Sequence, residues 1–140
     1  MWKLIVRNGL HLTSKIFHIF LLLTVMMEIT GCDPMEREEI DRISSPDSVV
    51  DAVLIKGSAG ATTSFVFEVY IVPIGDIVAE KNELLFIGDK MEGLELQWIQ
   101  SKLLIIQYEQ GRIFQFSNFW SSRHIQNFEY EVEIRLVKKL

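Results

Sequence analysis

The chain has 140 residues, 49% of them hydrophobic and 24% charged, with a formal net charge of −5. Its 19 acidic residues against 14 basic ones argue against nucleic-acid binding, which rewards basic patches, and against electrostatic docking on anionic lipid. The single cysteine rules out a disulfide within the chain, so packing must hold the fold.

The N-terminus reads as an export leader. Lys3, Arg7 and Lys15 form a positive region, residues 16–27 an apolar run, and small residues then precede Cys32. The apolar run is short of the ~20 residues that a spanning helix needs. An uncleaved signal anchor and a buried core helix are the alternatives, and the order of charge, apolar run and small residues favours the export signal.

The string Ile29-Thr30-Gly31-Cys32 resembles the processing box of a bacterial lipoprotein. Ile29 holds the apolar position, Thr30 and Gly31 the small positions, and Cys32 the lipidated one. Ile replaces the commoner Leu, and Glu28 sets a charge where the apolar run meets the box. The resemblance implies cleavage before Cys32 and an anchor of several acyl chains, such as palmitate, each buried CH₂ contributing about 0.8 kcal/mol. Asp33 is similar to the inner-membrane retention signal of enteric-type bacteria. Residues 1–31 are then a signal peptide, and the remaining 109 residues carry 11 bases and 18 acids.

Residues 32–47 are polar and charged and read as a tether, with one short helix over 35–42 between Pro34 and Pro46. Residues 48–140 then change to short apolar runs separated by turn residues, long enough for one β domain. Strands are expected over 49–55, 63–72, 84–87, 94–98, 102–108, 113–119 and 130–136. In the second, Phe65, Phe67, Val69 and Ile71 share one face, and the other face is half covered. The third is closed by Gly88-Asp89-Lys90. The fifth is too continuously apolar for an exposed edge, and Glu109-Gln110-Gly111-Arg112 follows it as a hairpin turn. In the last, Tyr130, Val132, Ile134 and Leu136 alternate with Glu129, Glu131, Glu133 and Arg135. The expected fold is all-β: a single small antiparallel meander, blade-like sheet or sandwich of about seven strands.

Ser45-Pro46-Asp47, Ala52-Val53-Leu54, Gly60-Ala61-Thr62-Thr63, Val69-Tyr70-Ile71-Val72-Pro73 and Leu96-Gln97-Trp98 followed by Leu103-Leu104-Ile105 form an ordered set. It resembles a family of small bacterial proteins of unknown function, often lipoproteins, over roughly residues 45 to 108. Ser48 departs from the family's Gly after Ser-Pro-Asp, and Ala59 from a more polar residue or cysteine. The order is also similar to one blade of a propeller, but a complete propeller needs several. The resemblance implies a fold and a location and brings no activity.

Candidate sites are few. His124 follows Ser121 and Ser122 closely, but sequence proximity does not assemble a nucleophile, a base and an orienting acid. Glu129, Glu131 and Glu133 stand about 7 Å apart along a strand and do not converge as calcium requires. No His/Cys cluster has zinc spacing. Residues 57–63 lack the Gly-Lys-Ser/Thr ending and the following helix of a phosphate loop. Phe114, Phe116, Phe119 and Trp120 are aromatic residues of either the core or a partner-binding patch. The expected function is a lipid-anchored, non-enzymatic envelope protein without cofactor, metal or nucleic acid. Cys32 holds it to the membrane, and a protein partner adds at a strand edge or at Phe114–Trp120. An immunity or inhibitor protein against a toxin or lytic enzyme is the alternative.

Overall fold

The computed structural model describes residues 36–58 and 63–140. The leader, Cys32 and Asp33 lie outside the described residues, as do Gly60, Ala61 and Thr62. The described residues form nine strands, and the protein is all-β: β1 (Glu36–Ser44), β2 (Val50–Ser58), β3 (Val66–Pro73), β4 (Phe86–Glu92), β5 (Glu95–Gln100), β6 (Leu103–Tyr108), β7 (Gln110–Phe116), β8 (Phe119–Ser121) and β9 (Glu131–Lys138). One sheet has the order β1-β2-β3-β4-β7 and the other β5-β6-β9-β8. Every pairing is antiparallel except β6 with β9, which run parallel from Leu103↔Glu133 to Tyr108↔Lys138.

The architecture is a sandwich, because the inner faces of both sheets close on one core. Val50, Ala52 and Leu54 of β2, Val69 and Ile71 of β3 and Phe86 of β4 pack with Leu96, Leu104, Ile106, Trp120, Val132 and Ile134 of the other sheet. The alternation in β9 produces this directly, since every second residue reaches the core. Val53, Ile55, Tyr70 and Val72 form a second, smaller cluster on the outer face of the first sheet, where Val78 and Leu84 pack against them. The segment between β3 and β4 therefore roofs that face, which explains why β2 is buried on both sides.

Four expectations change. Residues 36–44 are a strand and not a tether or a helix. β1 pairs with β2 from Glu36↔Ser58 to Ser44↔Asp51, and backbone pairing needs no apolar face when a strand lies at an edge. Gly88-Asp89-Lys90 does not close a strand but lies inside β4. A Cβ on Gly88 would stand 2.8 Å from the Arg112 carbonyl oxygen, so glycine is what lets β7 approach. Residues 109–112 are not a hairpin turn: β6 belongs to one sheet and β7 to the other, so the chain crosses the sandwich there. The run 113–119 breaks at Ser117 and Asn118, and its two parts, β7 and β8, lie in opposite sheets. The added edge strand and this break turn seven expected strands into nine.

The Ser-Pro-Asp turn joins β1 to β2. Ser45 Oγ accepts from the N–H groups of Val49 and Val50 at 3.2 Å. Ser48 has φ 57°, the left-handed region that glycine favours.

Candidate functional site

The four sheet edges were the first expected contact surface, and each carries a feature that hinders strand addition. Register shifts place single-residue bulges at Ile40 in β1, Ile99 in β5 and Phe114 in β7. β8, the fourth edge, is only three residues long. Bulges, charges and short length are the means by which edge strands avoid pairing with another chain. Ile40, Ile99 and Phe114 are also among the large apolar residues left in solvent. Their exposure follows from the bulge geometry and does not by itself mark a docking patch.

The structure does not bring the four expected aromatic residues into one patch. Trp120 is 4% exposed and belongs to the core, and Phe116 packs against that core from β7. Phe114 and Phe119 are 55% and 45% exposed, on strands of opposite sheets. The Arg112 guanidinium lies 5.2 Å from the Phe114 ring centre and shields one face of it.

A different feature stands out. At the end of the sandwich where β3 finishes, a groove of about 520 Å³ opens between two walls. One wall is Pro73 and part of the segment after it, with Asp76, Lys81, Asn82 and Glu83. The other runs from Trp120 through Ser121, Ser122, Arg123 and His124 to Phe128.

Hydrogen bonds hold both walls, mainly long-range ones in the first and local ones in the second. Gly75 turns the first with φ 76°, and its N–H donates to Asp51 Oδ2 at 2.9 Å. Arg42 Nη1 donates to the Asp76 carbonyl at 3.1 Å and to Asp51 Oδ2 at 2.9 Å. Asp51 is almost fully buried. Burial opposes its charge, but the bonds from Ser44, the Gly75 N–H and Arg42 outweigh it and hold the carboxyl below its ordinary range. Further along, Ala79 N–H donates to Asn82 Oδ1 at 2.6 Å. In the second wall the Ser122 carbonyl accepts from both Ile125 and Phe128 N–H at 3.1 Å. Gln126, Asn127 and Phe128 follow one another with φ 46°, 48° and 71°. Three successive left-handed residues other than glycine cost about 1–2 kcal/mol each. Despite that cost, Phe128 remains 53% exposed.

The groove brings Ser121, Ser122 and His124 together with Asp76 and Glu83, which spacing alone did not foretell. The hydrogen bond between Ser122 and His124 runs from the His124 backbone N–H to Ser122 Oγ at 3.2 Å. That contact orders the loop and does not activate a nucleophile. Glu129, Glu131 and Glu133 project into solvent, and Glu133 pairs with Arg135 at 2.7 Å. Among the described residues no group of three or more His, Cys, Asp or Glu side chains is placed to hold a metal ion.

Sequence reasoning reached the second wall only through His124 and its neighbours, and missed the first wall. Nothing in residues 73–83 marks them as a site, because their position depends on Asp51 and Arg42, far away in sequence.

Fold and groove together define an all-β sandwich module with a groove of charged and aromatic residues at one end. No protein-family model, curated protein or solved structure matches the chain.

Proposed function

We propose that this chain is an exported lipoprotein, held to a membrane through lipid on Cys32, whose β sandwich is a non-enzymatic binding module in the cell envelope. The observation that carries the reading is the lone Cys32 directly behind a charged-then-apolar leader. The sandwich is compatible with it. β1 starts at Glu36, so residues 33–35 alone separate it from the anchored cysteine. Fully extended, a link of that length reaches about 14 Å at most.

The candidate binding groove lies at one end of the first sheet. Glu36 opposite Ser58 and Gly57 opposite Val66 mark the other end, where β1 starts. Pro73 and the groove lie where Val50 pairs with Pro73. The nine residues of β1 span about 30 Å between the two ends.

Intact-mass measurement on protein from membrane fractions tests the anchoring. The expected result is loss of residues 1–31 and an acylated Cys32. A mature chain with a free Cys32 thiol overturns the reading.

A further inference from the structure

We propose that the groove binds a saccharide chain, with a sugar ring seated on Phe128 and its hydroxyls met by Asp76, Glu83, Lys81 and Arg123. The inference deepens the binding-module reading and rests on it.

The placement of Phe128 points to a ligand. Its backbone stands in the left-handed region together with the two residues before it, and the residue remains half exposed. Neither feature helps the fold, since strain and an exposed aromatic ring both count against it. Strained backbone of this kind collects at functional sites. An exposed ring lining a groove that is part apolar and part charged suits a ligand with one apolar C–H face and a rim of hydroxyls.

The charge of the lining points the same way. Asp76 and Glu83 balance Lys81 and Arg123. Among the described residues none of these four charged groups is engaged in an ion pair. Carboxylates and a guanidinium present paired acceptors and paired donors, which match adjacent hydroxyls on a sugar ring. A phosphate or other anion would meet the two carboxylates, and a lone cation the two bases. A neutral polyol faces neither penalty. The volume, about 520 Å³, lies inside the ~300–1,000 Å³ range of small-ligand sites.

The test uses the full chain purified from membranes in detergent. It is sedimented with peptide-crosslinked glycan sacculi, with and without an excess of the soluble glycan strands released when their peptides are cleaved off, and with chitin. The expected result is co-sedimentation with the sacculi that the soluble peptide-free strands compete away, and a bound fraction at least tenfold lower for Phe128→Ala. Arg123→Ala serves as a second variant, and the β-sheet circular dichroism of both should match the parent, because both side chains are exposed. Three results would overturn the proposal: no binding to any of the polymers, undiminished binding by both variants, or binding to sacculi that excess peptide-free strands do not compete, which would mark a peptide site. Intact mass on the same preparation reads the Cys32 anchor independently, so failure of the saccharide site and failure of the anchoring are told apart.

Discussion

The Tyr130 hydroxyl lies 2.9 Å from Asp47 Oδ2, across 83 positions of sequence, and 2.9 Å from the Ser101 carbonyl oxygen. This contact ties the β1–β2 turn of one sheet to the start of β9 in the other. Burial, and then the Asp47 carboxylate, push the Tyr130 hydroxyl up to about 12. Burial works against the Asp47 charge as well, but bonds from Ser45, Tyr130 and backbone N–H groups hold that carboxyl below its ordinary range.

Tyr130→Phe removes a buried hydrogen bond to a charged group, and the expected loss is about 1.5–3 kcal/mol in urea unfolding at neutral pH. The pH dependence should change too. An unfolded tyrosine titrates near 10, and Tyr130 in the fold near 12. Its contribution is complete below about pH 10 and is lost as pH rises through about 12. The variant should show a shallower alkaline limb, and an unchanged limb would contradict the account.

Ser48→Gly should stabilise the protein. Ser48 stands at φ 57°, where a Cβ costs about 1–2 kcal/mol, while the greater freedom of unfolded glycine returns about 0.4–1 kcal/mol of that gain. A net increase of about 0.5–1 kcal/mol in the same urea measurement is expected. Destabilisation by this substitution would mean that the serine side chain has a role the strain argument omits.

The ion pairs should separate sharply by burial. Asp51 is buried and accepts from Arg42, Ser44 and the Gly75 N–H. Asp51→Ala should cost about 3–5 kcal/mol and loosen the groove wall that begins at Gly75. Glu133→Ala breaks an exposed pair with Arg135 and should cost less than about 1 kcal/mol. Equal effects of the two substitutions would refute this ranking.

Acid should weaken the fold through the same carboxylates. Asp47 and Asp51 both titrate below their ordinary range in the fold. Depressed groups contribute stability that is present above the unfolded value, near 3.9, and lost as pH falls through the lower folded values. The melting temperature followed from pH 7 to 2.5 should hold to about pH 5 and then fall. Asp51→Asn should flatten that fall.

Gly88→Ala introduces a Cβ that meets the Arg112 backbone carbonyl at 2.8 Å. The backbone must shift to accept it, at an expected cost of about 1–3 kcal/mol. Amide exchange should report the loosening at β4 and β7 in particular. Uniform protection in both strands would show that the sheet absorbs the methyl group elsewhere.

Much of the fold was legible in the residues. Tyr130, Val132, Ile134 and Leu136 alternate with charges, and a strand with that pattern has one side to bury. Residues 102–108 are apolar on both sides, and β6 does lie inside its sheet between β5 and β9. The outer face of 63–72 was expected to be half covered, and Val78 and Leu84 cover Tyr70 and Val72 there.

The candidate site was far less legible. β1 has no apolar stripe, because an edge strand is held by backbone pairing, which any polar sequence can supply. The break between Phe116 and Phe119 carries no strong turn signal, yet it sends two aromatic neighbours to opposite sheets. The groove needs residues 73–83 beside residues 120–128, and those walls are positioned by Asp51, Arg42 and the Ser122 carbonyl. The sequence by itself determined the strand-rich class, the inward faces and the position of the lone cysteine behind a charged and then apolar run, because period, composition and spacing are local properties. The tertiary structure alone decided which strands share a sheet, which aromatic residues stay in water and where a groove opens, because those outcomes depend on contacts between residues far apart in the chain.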